Sequence, residues 1–211
     1  MLEIILARHG ETDWNVAEVF RGRIDVALNE TGIKQAELLG EYLSDAEIGA
    51  VYSSPLKRAL KTAETIAGYH SLEVNVVHGL IDFDFGEWQG LSHQAVRDSY
   101  QGLYAEWINH PETVRMPSGE SLDDVRERAT AVVDDVVERY HEGGVVLVSH
   151  RVVNKVLICA LLGLDNSHFW GIKLDTCGIT GFNYEGGRFI LTRHNDTSYL
   201  KPICKAHLAD F

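Results

Sequence analysis

The chain has 211 residues, 45% hydrophobic and 24% charged, enough to bury one sizeable core without a structural metal or a disulfide framework. Its 19 basic and 31 acidic residues give a formal net charge of -12, which argues against a broad electrostatic surface for nucleic acid or anionic membranes; an anionic substrate has to be met by a local cluster of cations. Cys159, Cys177 and Cys204 lie far apart without metal-ligand spacing, and the N-terminus has no long apolar h-region, so reduced thiols in a cytoplasmic protein are expected.

Short β-rich runs alternate with helical periods, the pattern of a three-layer α/β protein whose mostly parallel central sheet is flanked by helices. Residues 2–7 read as the first strand. A helix over 31–43 follows, with Ile33, Ala36, Leu39 and Leu43 on one stripe and Thr31 or Asn29 as its cap. Residues 48–53 read as a strand. Ser54-Pro55 then offers a cap with proline in the first turn of a helix carrying Leu56, Ala59, Leu60, Ala63, Ile66 and Ala67. Residues 74–77 form a further short strand. From 78 to 117 the periodicity weakens and aromatic and turn residues accumulate, with helical patches near 93–100 and 103–109, as in an insertion that covers a site. Ser121-Leu122-Asp123-Asp124 opens a long helix with a capping box, its inward stripe Val125, Ala129, Val132, Val133, Val136 and Val137. The strand 145–149, a helix over 152–162 ending at Gly163, and a hairpin of 179–184 with 188–192 complete one domain, residues 1–211, with its insertion at 78–117.

Three strand ends carry the chemistry: Arg8-His9-Gly10, Ser53-Ser54-Pro55 with Arg58 one turn on, and Ser149-His150. In an open parallel sheet the carboxyl ends of the strands share an edge, so two histidines and two arginines meet in one crevice. Guanidinium forks and a helix start at Ser54-Pro55 suit phosphate oxygens. A neutral imidazole there can attack phosphorus while the cations neutralise the oxygens.

These segments resemble the histidine phosphatase superfamily in its phosphoglycerate-mutase-like branch. The matching residues are Arg8-His9-Gly10-Glu11-Thr12, Trp14-Asn15, Ser53-Ser54-Pro55-Leu56, Arg58-Ala59, Thr62-Ala63, Gly86-Glu87-Trp88-Gln89-Gly90, Gly119-Glu120-Ser121 and Ser149-His150, in the family's order through nearly the whole chain. The resemblance implies a phosphoglycerate-mutase-like fold with a helical lid. It implies His9 as the phosphorylated nucleophile, with Arg8, Arg58 and His150 binding the transferring group and Asn15 and Arg21 as further phosphate or substrate contacts. Its general acid lies in a Leu-x-Glu element just ahead of Gly-x-Trp-x-Gly; here Leu80-Ile81-Asp82 occupies that place, so Asp82 is the expected acid, one methylene shorter, with Asp84 and Glu87 as alternatives.

Arg151 stands where the family commonly has glycine, either beside the substrate or at a helix start facing solvent. Trp14, Trp88, Trp107 and Trp170 are expected in packing or pocket walls. The remaining histidines show no paired metal spacing, so neither a metal nor a cofactor is expected. The implied function is a metal-independent phosphomonoesterase acting through phosphohistidine on a small phosphorylated metabolite, with no nucleic acid or membrane partner. The segments around Met116 to Ser121 and Asn195-Asp196-Thr197 lean toward bacterial phosphatases such as α-ribazole phosphatase. A mutase-type phosphotransferase and a silent phosphate-binding module are the alternatives. A homodimer through an edge strand or the hairpin near Tyr184 is a further expectation.

Overall fold

Six runs rich in β-branched residues, Leu2–Arg8 (β1), Ile48–Ser53 (β2), Val74–Val76 (β3), Gly143–Ser149 (β4), Ile179–Glu185 (β5) and Arg188–Asp196 (β6), pair into one sheet in the order β3-β2-β4-β1-β5-β6. The computed structural model describes residues 1–203, so Cys204 and His207 lie outside the described residues. The helices are Asp13–Val16 (α1), Glu30–Leu43 (α2), Lys57–His70 (α3), His93–Ser99 (α4), Gln101–Asn109 (α5), Leu122–Arg139 (α6) and Arg151–Leu161 (α7). β1 to β4 run parallel, and β5 and β6 are added antiparallel. The hairpin between β5 and β6 turns on Gly186 and Gly187, with φ of 56° and 78°, a conformation that side chains other than glycine resist.

Strand side chains alternate between the two faces, and each face finds its own helices. Ile5, Ala7, Val51, Val146 and Val148 pack with Leu39 and Leu43 of α2 and Ala59, Ala63 and Ile66 of α3. Leu2, Ile4, Leu6, Val145 and Leu147 pack on the other side with Val125, Ala129 and Val133 of α6 and Val153 and Leu157 of α7. The 78–117 segment joins this second core through Phe83, Phe85, Trp88 and Trp107, Phe83 stacking on Trp107 at 5.7 Å.

Several element readings change. Asn29, not Thr31, caps α2, and Ile33 on its expected inner stripe is 41% exposed, because the sheet-facing stripe runs through Ala36, Leu39 and Leu43. α3 starts at Lys57 after an N-cap, Leu56, with no side-chain bond; the Ser54 hydroxyl expected to cap it is drawn to a histidine instead. α4 and α5 are contiguous, meeting at Tyr100. β6 runs to Asp196, beyond 192. The capping box of α6 forms as read, Ser121 and Asp124 exchanging bonds, and the Asp124 carboxyl, also paired with Arg115 at 2.8 Å, falls to about 2.

Candidate active site

Register brings the strand ends level. Arg8 of β1 lies opposite Ser149 of β4, so the next residues, His9 and His150, are neighbours across the sheet edge. His9 N–H donates to Ser149 O at 3.0 Å, and the two rings lie 5.1 Å apart. On the other side of β4, Ser53 pairs with Val148 and Ser54 N–H donates to Val148 O at 3.1 Å. Arg8, His9, Ser54, Arg58 and His150 are all buried at this edge.

The histidine tautomers follow from their partners. His9 Nδ1 lies 2.6 Å from Gly10 O; a carbonyl only accepts, so Nδ1 carries the proton and Nε2 keeps its lone pair. Burial first, then the charge of Arg58, pushes the His9 imidazole well below its ordinary pKa, with His150, Arg8 and Arg21 adding to the effect. His150 is lowered in the same way, by burial and then by Arg58 and Arg21. Its Nε2 is 2.7 Å from Ser54 Oγ, which also accepts from Leu56 N–H at 3.3 Å. The serine hydroxyl can donate to or accept from Nε2, and it is the Asp82 carboxylate 3.5 Å from Nδ1 that favours the ring proton on Nδ1. That Nδ1 is buried without a hydrogen-bond partner.

Arg58 is held by carbonyls. Its Nη1 donates to Ile24 O at 3.0 Å and its Nη2 to Gly22 O at 2.7 Å and Asp82 Oδ2 at 2.8 Å, while Nε is buried with no partner. Despite its short side chain Asp82 reaches the cluster: Oδ2 is 3.5 Å from His150 Nδ1 and Oδ1 accepts from Phe83 N–H at 2.8 Å. Of the alternatives, Asp84 accepts from the Gly86 N–H and pairs with Arg23 at 3.4 Å, and Glu87 accepts from the Tyr100 hydroxyl at the junction of α4 and α5.

Composition and motif reading gave no signal for the clamp that presents Asp82. Arg128, on the polar stripe of α6, donates to the carbonyls of Gly79, Ile81 and Asp82 at 2.8, 2.7 and 3.2 Å. Glu120 accepts from Arg128 and Arg23 and from Asp84 N–H. A charged residue on an amphipathic helix reads as solvated; only the turn of loop 79–84 beneath it reveals otherwise.

Asn15 closes a capping box with Thr12, its Oδ1 accepting from Thr12 N–H and Oγ1–H at 2.9 Å each, and its Nδ2 is buried with no partner. Arg21 lines the cavity above His9 and Asp82 together with Phe85, and so do Glu18, His93 and Arg151, the last two half-buried. Trp88 and Trp107 are core residues. Cys159 and Cys177 are buried free thiols, and burial pushes the Cys177 thiol far up. Among the described residues no group of histidine, cysteine and acidic side chains is arranged to hold a metal, and no helix is long and apolar enough to cross a membrane.

The family model of the histidine phosphatase superfamily, branch 1, matches residues 4–197. Phosphoserine phosphatase 1 of Hydrogenobacter thermophilus is 36% identical over 210 residues, 99% of this chain and 100% of that protein. YhfR of Bacillus stearothermophilus superposes with a TM-score of 0.90 at 30% identity, covering 95% of this chain and 100% of that one. A mutant phosphoserine phosphatase from Entamoeba histolytica, in complex with phosphoserine, gives a TM-score of 0.85 at 29% identity over 95% and 100% of the two chains. With an apposed histidine pair, buried arginines and this match over nearly its whole length, the chain belongs to the histidine phosphatase superfamily, as a phosphomonoesterase.

Proposed function

We propose that the protein hydrolyses phosphomonoesters of small metabolites through a phosphohistidine formed on His9. The observation that carries this reading is the buried pair itself: His9, which lines the cavity, keeps its Nε2 lone pair, and at the same sheet edge Arg58 Nε and His150 Nδ1 are buried nitrogens without hydrogen-bond partners. Unsatisfied buried donors of this kind ask for an anion.

In the first step His9 Nε2 attacks phosphorus, the P–O ester bond breaks, and the departing oxygen takes the proton of Asp82. Arg8, Arg58, His150 and the Asn15 amide meet the phosphoryl oxygens as charge shifts onto them, and Arg21 adds positive charge at the mouth. The arriving phosphoryl group competes with Asp82 for Arg58, which frees the carboxyl to meet the departing oxygen. In the second step the Asp82 carboxylate takes a proton from water, the hydroxide displaces Nε2 from phosphorus, and inorganic phosphate leaves. The cations supply the charge neutralisation at each step.

The 78–117 segment supplies Asp82, Phe85 and His93 to the cavity wall, which supports its reading as the lid of a single domain. The free buried thiols and acidic balance support a cytoplasmic protein without nucleic acid or membrane partners. β6, the outer strand, exposes half of Ile190, which supports a homodimer through that edge.

The test is a quenched-flow reaction with a ³²P-labelled phosphomonoester in EDTA. Wild-type protein is expected to carry an acid-labile, base-stable label and to release phosphate; His9→Ala should stay folded by circular dichroism with both lost. Turnover at wild-type rates in His9→Ala refutes the assignment, and isomer formation from 3-phosphoglycerate without phosphate release assigns the mutase chemistry instead.

A further inference from the structure

The loop that carries Asp82 is held by its own carbonyls. Arg128 Nη1 donates to Gly79 O at 2.8 Å and Ile81 O at 2.7 Å, and its Nη2 to Asp82 O at 3.2 Å; the Ser149 hydroxyl, beside His150, claims the remaining carbonyl by donating to Leu80 O at 2.7 Å. Every carbonyl from 79 to 82 is thus tied either to α6 or to the end of β4. Gly79 seats the loop directly on the helix: an added Cβ would lie 2.7 Å from Arg128 O.

Arg128 is itself fixed. Its Nε and Nη2 donate to the two oxygens of Glu120 at 3.0 and 3.1 Å, a fork-to-fork pair whose side chains are 19% and 15% exposed. Glu120 also accepts from Asp84 N–H at 3.0 Å, and its own N–H donates to Asp84 O at 3.0 Å, so the far end of the loop is gripped by the same residue. Neither Arg128 nor Glu120 is among the described residues that line the cavity; any part they take in the reaction has to pass through the loop.

A short acid depends on such a support more than a long one. Asp82 has one side-chain torsion fewer than a glutamate, so the reach of its carboxyl is set by where its backbone stands. While Oδ1 stays on Phe83 N–H at 2.8 Å, the carboxyl cannot swing to make up a shift of the main chain. Misplacement of a reacting group by about 1 Å costs about 10²-fold in rate.

We infer, resting on the phosphatase reading above, that Arg128, locked by Glu120, is a positioning residue for the reaction: its grip on residues 79–82 holds the Asp82 carboxyl where it meets the departing oxygen. The charge of Arg128 also bears on His150, behind burial, Arg58 and Arg21, so grip and charge have to be separated.

The test compares kcat/KM, which reports transfer to His9, on p-nitrophenyl phosphate, whose leaving group needs no proton, and on the best of three alkyl esters, O-phospho-L-serine, 3-phosphoglycerate and glycerol 3-phosphate. Arg128→Lys keeps the charge and loses the fork. It should lower the alkyl-ester value by about 10- to 100-fold and the p-nitrophenyl phosphate value by less than about threefold, with Glu120→Gln acting in the same direction by about tenfold. In an Asp82→Asn background the same Arg128→Lys change should cost the alkyl ester less than about threefold, because the group it positions no longer has an acidic proton to give. Circular dichroism and urea unfolding check that the variants fold, and Glu120→Gln carries the test where Arg128→Lys does not fold. Equal losses on the two kinds of ester, or the full Arg128→Lys loss in the Asp82→Asn background, overturn the positioning role while leaving the phosphatase reading intact; so does wild-type turnover of p-nitrophenyl phosphate with no alkyl ester hydrolysed. Failure of wild-type protein to hydrolyse any of the four overturns both.

Discussion

Arg58 allows the contributions of charge and geometry to be separated. Its two terminal nitrogens donate three bonds, to Ile24 O, Gly22 O and Asp82 Oδ2, the last two buried, and its charge is, after burial, the largest influence on both histidines. Lysine keeps the charge but presents one nitrogen, so Arg58→Lys leaves about two of those acceptors unsatisfied. At about 1–3 kcal/mol each, the expected loss of stability is about 2–6 kcal/mol. Loss of a donor aimed at the phosphoryl group lowers kcat by about 10²–10³. The His9 ring should titrate close to its wild-type pH, because a cation is still nearby. Arg58→Met removes the charge as well, so protonated His9 becomes less unfavourable and its pKa rises, each unit corresponding to about 1.4 kcal/mol. Urea unfolding reads the first effect, kcat on p-nitrophenyl phosphate the second, and NMR titration of the His9 ring the third. Arg58→Lys with wild-type turnover would refute the argument from the fork. A His9 titration at the same pH in Arg58→Met and wild type would refute the argument from charge.

Gly10 sits where backbone meets backbone: an added Cβ would lie 2.4 Å from Gly32 O in the first turn of α2. Gly10→Ala should therefore cost about 1–3 kcal/mol in strain and, because Gly10 O fixes the His9 tautomer, lower kcat at least tenfold; native thermal stability and rate together would contradict the packing. The two buried histidines also set a pH dependence of stability. Their folded-state values lie well below the ordinary 6.5, so below pH 6.5 the unfolded chain takes up protons that the folded one refuses, and stability falls as pH falls. The slope approaches about 1.4 kcal/mol per pH unit for each histidine, with a smaller share from His194, also lowered by burial. Asp124 enters only below about pH 4, where its unfolded carboxyl protonates while the folded one, at about 2, does not. Urea midpoints at pH 7 and 5.5 should differ accordingly, and equal midpoints would show that the histidines charge without penalty.

The sheet was legible because its apolar runs are short, β-branched and bounded by turns, and the edge chemistry because β1, β2 and β4 each end in a residue type that a buried strand would otherwise exclude. Motif order then supplied Asp82 and Arg58. Ser54 was misread for a physical reason: a serine before proline satisfies the rule for a helix cap, and nothing in the local pattern says that a histidine 96 residues away competes for its hydroxyl. Arg128 escaped notice because charge on a helix face looks the same whether it meets water or the carbonyls of another loop, and Glu120 was legible as part of Gly119-Glu120-Ser121 but not as the partner of Arg128. Glu18, His93 and Arg151 belong to the cavity wall through tertiary packing of the weakly periodic segment against the start of α7, which no spacing rule encodes.

The way the arginines are held explains how a chain of net charge -12 makes a site for an anion. Buried cations are usually paired with carboxylates, which satisfy their donors and cancel their charge. Here backbone carbonyls do much of that work: Arg8 donates to Leu174 O at 2.7 Å, Arg58 to Gly22 and Ile24, and Arg128 to Gly79, Ile81 and Asp82. A carbonyl dipole satisfies an N–H without bringing a full negative charge, so the field of the guanidiniums survives inside a cavity where low dielectric strengthens it. Burial first, and then that field, keeps both imidazoles neutral, and the field favours a phosphoryl group over water in the same place. Among the described residues Asp82 is the carboxylate bonded to Arg58, whose other acceptors are the carbonyls of Gly22 and Ile24, while Arg128 also binds the Glu120 carboxylate; beside the two histidines a carboxylate can serve by the proton it carries as well as by the charge it cancels. Asp82→Asn, which keeps the hydrogen-bonding shape and removes the exchangeable carboxyl proton, should therefore slow phosphoryl transfer from an alkyl ester by about 10²–10⁴ and far less from p-nitrophenyl phosphate, whose leaving group needs no proton. Equal slowing on both esters would mean that Asp82 acts on the cations rather than on the departing oxygen.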